Sequence, residues 1–179
     1  MKFEKIDPNS LSVKPFELWQ NQWMLLTCGD FQANKFNTMT VGWGSLGVMW
    51  QQPFAQVVVR PTRYTYEFTN EFDSFTLCAF PESYRDALRL LGRKSGRDGD
   101  KIVKSGLTPI PSEHVASPAF AEAELIIECT KIYWQDMEPD QFLDEKIETL
   151  YPKKDYHRIY FGKIIGVYKQ SLEIISEQN

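Results

Sequence analysis

The stretch TMTVGWGSLG, residues 38–47, decides between two fold classes. Its first half alternates polar and apolar side chains, which is typical of a β-strand with one buried face. Gly42, Gly44 and Gly47 have the GxGxxG spacing of a dinucleotide-binding turn, but that turn requires a helix that begins at the glycines. Pro53 stops any helix after residues 48–52, and a further strand follows. The stretch therefore predicts a β-fold and not a doubly wound α/β sheet.

Five more short runs on either side of this stretch also favour β-structure, because they are rich in β-branched and aromatic residues and are bounded by turn residues. The six predicted strands lie at 23–28, 38–43, 54–60, 74–80, 125–133 and 158–168. Two helices are predicted between them, one after Pro61 and one from about Glu82. Strands this short are stable when no backbone groups are left unpaired at a sheet edge, so a closed antiparallel barrel is expected. Residues 1–20 are interpreted as an irregular arm.

The composition of the chain fits one globular domain that occupies residues 1–179, with 42% hydrophobic and 14% aromatic residues. A net charge of −4 argues against a nucleic-acid partner, which would need a basic surface. No apolar run approaches the length of a membrane span, and residues 1–20 lack the apolar core of a signal peptide. We therefore expect a cytoplasmic protein with no membrane partner.

The residues that usually carry metal or nucleophilic chemistry are sparse. The three cysteines, Cys28, Cys78 and Cys129, are far apart and show no CxxC spacing, so buried reduced thiols are expected rather than disulfides or zinc ligands. The two histidines, His114 and His157, belong to no HExxH motif, and no GxSxG motif occurs. No metal site is predicted.

Two turns concentrate cationic side chains in an otherwise acidic chain. The turn RPTRYT, residues 60–65, joins an apolar strand to a helix, where backbone N–H groups and the helix dipole favour an anion. The turn SGRDGDK, residues 95–101, combines two glycines with Arg97 and Lys101, so its backbone can approach a ligand closely. Each turn alone is equally compatible with a helix cap or a plain loop. The two turns together favour a shared phosphate.

Six short motifs, taken in order, resemble the flavin reductase-like family of FMN-binding split barrels. The resemblance covers roughly residues 20–168, almost the whole chain, and the order and spacing of the motifs make it specific. The motifs are NTMTxxW at 37–43, RPTRYT at 60–65, SGRDxDK at 95–101, GLTP at 106–109, EC at 128–129 and HxxxxG at 157–162.

The resemblance implies a mainly β protein, an antiparallel split β-barrel of Greek-key type with helical insertions, that forms a homodimer with FMN near the subunit interface. His157 would lie near the flavin edge as the candidate catalytic residue, contributed by its own chain or by the partner subunit. The residues implied to bind the cofactor are Asn37, Thr38, Met39, Thr40, Trp43, Arg60, Arg63, Tyr64, Thr65, Ser95, Gly96, Arg97 and Lys101.

The function expected from this resemblance is that of an NAD(P)H-dependent flavin reductase. NAD(P)H would reduce bound FMN, and the electrons would pass to free flavin, ferric iron or a partner protein, because the flavin supplies the chemistry and the protein positions it. Two alternatives stay open. The first is a non-enzymatic electron carrier that holds FMN, and the second is a binding module for another phosphorylated ligand.

Overall fold

A computed structural model describes residues 2–171, and within them ten strands form one eight-stranded antiparallel sheet and one two-stranded ladder. The strands are β1 Phe3–Ile6, β2 Met24–Asp30, β3 Lys35–Val41, β4 Gly44–Met49, β5 Gln52–Val59, β6 Ser74–Ala79, β7 Pro109–Ile110, β8 Ala119–Phe120, β9 Leu125–Asp136 and β10 Arg158–Gln170. The helices are α1 Tyr64–Glu71, α2 Arg85–Arg93, α3 Lys101–Ser105 and α4 Glu145–Glu148. A π-helical turn, Glu17–Gln22, precedes β2.

The order of strands in the large sheet forces it to curl. The hydrogen-bonded path runs β3-β2-β6-β9-β10-β5-β4, and β1 pairs with β10 beside it. Its two ends, β3 and β4, are consecutive in the chain and are joined only by Gly42 and Trp43. Seven strands whose first and last members are two residues apart must close on themselves. The predicted antiparallel split barrel with helical insertions is confirmed, and the split lies between β3 and β4.

The π-helical turn fills this split. Trp19 and Leu18 on the turn are almost fully buried and belong to the barrel core. A Cβ placed on Gly44 would collide with the Trp19 ring and with the carbonyl oxygen of Gln56. Glycine at the start of β4 therefore lets the indole lie directly against the backbone where the sheet ends meet.

Side chains on the central strands alternate between two cores, as the two-residue period of a strand requires. On β2, Met24, Leu26 and Cys28 enter the barrel interior, whereas Leu25 faces the second core, together with Leu88 and Leu91 of α2. This second core fixes α2 on the outside of β2 and β3 and so places the end of the helix beside the end of β3.

No helix among residues 2–171 is long and apolar enough to span a membrane.

All six predicted strands and both predicted helices are present with small shifts in their ends, but four strands were missed: the two-residue strands β7 and β8, and the longer strands β1 and β4. Residues 1–20 are not wholly irregular, because β1 pairs Phe3 with Gln170 and Ile6 with Val167. The GxGxxG stretch enters β4, whose second half is exposed at Val48 and Met49 and so lacks the alternation that identifies a half-buried strand. β1 and β4 are outer strands of the sheet. Their side chains are partly or fully exposed, so the sequence shows little alternation of polar and apolar residues there.

We expect Gly44→Ala to destabilise the protein by about 1–3 kcal/mol, because the added methyl group must displace Trp19 or the β5 backbone. Gly47→Ala, in the same strand, is the matched control. Its Cβ would meet only the Phe54 ring, at 3.1 Å, which can shift. Urea unfolding of both variants measures the difference. Equal losses would show that Trp19 does not constrain the split.

Candidate functional site

A cavity of about 200 Å³ lies where β3 ends, at the split of the barrel. It brings together residues from three separate parts of the chain: the end of β3 with the Gly42–Trp43 link, the turn after β5, and the residue that precedes β10. Its walls are formed by Met39, Thr40, Val41, Gly42, Trp43, Val58, Arg60, Arg63 and His157. Six of these, namely Met39, Thr40, Trp43, Arg60, Arg63 and His157, are site residues that the sequence predicted.

The polar side chains of β3 bind the protein itself. Asn37 donates from Nδ2 to Oγ1 of Thr65 at 2.7 Å, and both side chains are buried. Thr38 is fully buried and donates to the carbonyl oxygen of Leu26 at 3.1 Å. Thr40 donates to the carbonyl oxygen of Leu88 at 2.5 Å, which ties α2 to β3. Asn37, Thr38 and Thr65 therefore hold the strand in place, outside the cavity wall.

Arg60 is held by the segment that precedes β10. Its Nη1 donates to the Asp155 carboxylate at 2.8 Å, and Nη2 donates to the carbonyl oxygen of Leu150 at 2.9 Å. The guanidinium also lies over the Tyr151 ring, 4.7 Å from its centroid. This arginine lines the cavity, but its charge is already compensated by a carboxylate.

Arg63 is the cation of this site with the most unused hydrogen-bonding capacity. Nη1 donates to the carbonyl oxygen of Gly92 at 3.2 Å, and the side chain forms no ion pair with any residue of the part that the structure describes. Its charge helps to lower the pKa of His157 on one side and of Lys101 on the other. Arg63 therefore lines the cavity on the side where α2 ends, just before the second cationic turn begins.

The second turn packs against β3 and α1 and lines a separate cavity of about 600 Å³. Gly96 permits this contact, since a Cβ there would lie 2.5 Å from Oδ1 of Asn37 and close to the Tyr64 ring. The Ser95 hydroxyl accepts a hydrogen bond from the backbone N–H of Arg97 at 3.2 Å. Arg97 pairs with Glu67 and lies over the Tyr64 ring, 4.9 Å from its centroid. This arginine is fastened to α1.

Lys101 is buried and does not extend into solvent. Its Nζ donates to the carbonyl oxygens of Leu91 at 2.9 Å and Lys94 at 3.1 Å, which are orphan acceptors at the end of α2. Burial, followed by the charge of Arg63, lowers the pKa of Lys101 to about 8. Lys101 thus caps the end of α2, and its charged group lies on the protein side of the turn and not in solvent.

His157 lines the cavity of its own chain. The ring is buried, its centroid lies 5.1 Å from that of Trp43, and Nδ1 is 2.7 Å from the hydroxyl of Tyr151. Burial, and then the charge of Arg60, lowers the pKa of His157 to about 4. An imidazole nitrogen is a better acceptor than the Met137 sulfur, 3.6 Å from the same hydroxyl, so we assign the Tyr151 proton to Nδ1. The neutral ring then carries its own proton on Nε2 as a donor.

Sequence reasoning missed Tyr151 and Asp155. Both follow the acidic segment 136–149, which its composition predicts to be a solvated excursion. The segment is acidic and largely exposed, but Phe142 and Tyr156 pack on Tyr151 and make one side of it apolar. These aromatic residues were the available signal. Among residues 2–171, no group of three or more His, Cys, Asp or Glu side chains could hold a metal ion.

Residues 20–173 match the family described as the flavin reductase like domain. Flavoredoxin of Desulfovibrio vulgaris is 26% identical, with a TM-score of 0.64 over 83% of this chain and 69% of that one. A Shewanella frigidimarina structure with a split barrel domain is 18% identical, with a TM-score of 0.66 over 96% and 81%. NADH:FAD oxidoreductase of Streptomyces globisporus is 15% identical, with a TM-score of 0.63 over 83% and 75%. No curated protein sequence matches the chain.

We expect His157 to titrate near pH 4, which nitrogen-detected NMR can measure. The unfolded chain takes up this proton near pH 6.5, so the native state loses roughly 3 kcal/mol of stability as the pH falls from 6.5 to 4. Tyr151→Phe should abolish the preference for the Nε2–H tautomer. A ring that stays Nε2-protonated in that variant would contradict the assignment.

Proposed function

We propose, since this chain belongs to the flavin reductase-like domain family, that it binds FMN and catalyses the reduction of the flavin by NAD(P)H. The observation that carries the proposal is the position of Arg63. This arginine lines a cavity beside Trp43, on the side where α2 ends and a glycine-containing turn begins, and it has guanidinium N–H groups to spare. A ligand with a flat ring at one end and a phosphate at the other fits that arrangement.

The residues present suit FMN. The isoalloxazine ring would lie along the Met39–Trp43 edge, and the phosphate would lie toward Arg63 and the backbone of the turn at 95–101. An FMN phosphate carries about −1.5 to −2 charges at neutral pH. Arg60, Arg97 and Lys101 already bind protein acceptors. Arg63 therefore supplies the main direct cationic contact, and the other three form the surrounding positive field.

Bound FMN would supply the redox chemistry, which is hydride transfer from a nicotinamide. The chain's own task is to bind, orient and shield the ring. His157, neutral and held by Tyr151, presents an N–H donor to the edge of the cavity, where it would stabilise negative charge on a reduced ring. Asn37, Thr38 and Thr65 keep the β3 wall rigid beneath it.

A non-enzymatic electron carrier is the second candidate. The similarity to flavoredoxin of Desulfovibrio vulgaris at 26% identity supports it. A carrier would hold FMN in the same cavity and be reduced by another protein. A binding module for a different phosphorylated ligand is the third candidate, and it predicts a protein that does not take up FMN. In all three cases we propose that residues 1–179 act as one domain.

The flavin would be enclosed by a second copy of the chain. The cavity at β3 is too small to surround FMN, so a homodimer with FMN near the interface is the proposed assembly. Exposed aromatic side chains are available for contact, among them Trp50 and Tyr133. Trp50 and Tyr133 pack together, with centroids 6.0 Å apart, and such aromatic clusters are typical of interfaces.

The purified protein is expected to turn yellow with one FMN per chain and to oxidise NADH or NADPH in steady state without any other protein. Absorbance at the flavin and nicotinamide bands follows both events. A protein that binds FMN but is reduced only when a second protein is added is the electron carrier. A protein that takes up riboflavin as tightly as FMN would contradict the phosphate contact, and with it the proposed site.

Arg63→Ala should weaken FMN binding by about tenfold to a hundredfold, the value of a hydrogen bond to a charged group, with little change in stability. Lys101→Ala should lower both FMN affinity and stability, because it also removes the cap of α2. Lys104→Ala, an exposed lysine of α3, is the control and should change neither. Equilibrium dialysis and urea unfolding separate the two effects. Equal losses of affinity in all three variants would indicate that the overall positive potential, and not a specific contact with Arg63, attracts the phosphate.

Trp50→Glu is expected to convert the dimer into a monomer of 20.9 kDa and to lower FMN affinity, since a buried charge cannot be accommodated in an apolar contact. Leu143→Glu, at a fully exposed position elsewhere, is the control. Sedimentation of the FMN-loaded proteins gives the mass. A wild-type monomer that retains FMN at micromolar concentration would rule out the shared site.

A further inference from the structure

We propose that a second cavity, on the other side of the Gly42–Trp43 link, binds the electron acceptor, and that this acceptor is a neutral planar ring with a carbonyl group, such as a quinone. The inference rests on the proposed flavin site. It narrows the acceptor to one chemical class and disfavours the charged alternatives, free FMN or FAD and chelated ferric iron.

The position of this cavity suits an acceptor. It measures about 510 Å³ and shares Gly42 and Trp43 with the smaller cavity proposed for the flavin. Trp43 is half exposed, so the indole forms a common wall between the two. A ring bound here would lie next to the flavin ring, separated from it by one side chain at most.

The lining of this cavity sets the class of ligand. Aromatic side chains of Phe16, Trp19, Trp23 and Trp43 supply flat apolar surfaces, and none of the ten lining residues is charged. Two cavities that share residues with it both contain charged residues, Arg63 in the cavity proposed for the flavin and Arg89 in the other. An anion that entered here would lose its hydration without meeting a cation, so a neutral ring is favoured.

One lining residue, Trp19, also carries an unpartnered polar group. The indole N–H of Trp19 is buried and has no hydrogen-bond acceptor among the described residues. A buried donor of this kind is unusual, since such groups normally find a partner. This N–H has almost no accessible surface, so a carbonyl oxygen on the bound ring would instead accept from the exposed Gln20 amide of the same lining. The overall reaction balances as NAD(P)H plus quinone plus one proton giving NAD(P)⁺ plus hydroquinone.

Binding without turnover tests the inference. The FMN-loaded protein, with no NAD(P)H, is titrated with 1,4-naphthoquinone and with its 2-sulfonate, and bound ligand is measured by equilibrium dialysis. We expect the neutral compound to bind at least about tenfold more tightly. Burial raises the pKa of the Cys28 and Cys78 thiols to about 12 and also raises that of Cys129, so covalent addition to thiolates is suppressed.

Phe16→Lys provides the charge swap, because Phe16 is 84% exposed and the fold tolerates a change there. This variant should lose affinity for naphthoquinone and gain affinity for the sulfonate, whereas Leu143→Lys should change neither. Equal binding of the two compounds by the wild type, or no response to Phe16→Lys, overturns the inference.

The flavin spectrum of each sample separates the two proposals. A sample without FMN rejects the proposed function, and an FMN-loaded sample that ignores naphthoquinone rejects only the acceptor site.

Discussion

The closure of the barrel over Gly44 is the constraint on which the rest of the structure depends. A seven-strand path must bring β3 and β4 together across two residues, and the edge that remains between them must be covered. Trp19 covers it by lying against a backbone position that has no side chain. Both cavities that we assign to function lie at this junction and share Gly42 and Trp43. The site is thus a consequence of how the sheet closes.

The cavity that we assign to FMN has pre-organised walls, because most polar groups in and behind those walls are already bonded. Asn37 and Thr38 hold β3, Arg60 holds the segment before β10, and Lys101 holds the end of α2. A cofactor that binds such a site need not order those side chains itself, so little conformational entropy is lost on binding. Arg63 differs because a single carbonyl contact leaves most of its donors free. Pre-organised walls with one free cation suit a ligand that has a rigid ring and one anionic end.

The acidic segment before β10 contributes to the site in a way that its composition conceals. Asp155 neutralises Arg60, and the Tyr151 hydroxyl sets the protonated nitrogen of His157. The Tyr151 ring lies between the Arg60 guanidinium and the Phe142 ring. A carboxylate thus offsets the charge beside the cavity that we assign to FMN, while the aromatic rings keep His157 dry and neutral. The segment before β10 therefore sets the net charge near Arg60, the tautomer of His157 and the shape of one wall of the cavity.

The sequence by itself determined the strand and helix positions of the barrel core, because burial on one face imposes a period of two or 3.6 that can be read locally. It also located both cationic turns and His157, through short motifs in a fixed order. Only the tertiary structure decided which cations are free. Arg60 meets an acid 95 positions away, and Lys101 meets the end of a helix that local pattern does not place beside it. Charge in the sequence is a property of a residue, whereas its availability depends on partners that the fold brings close.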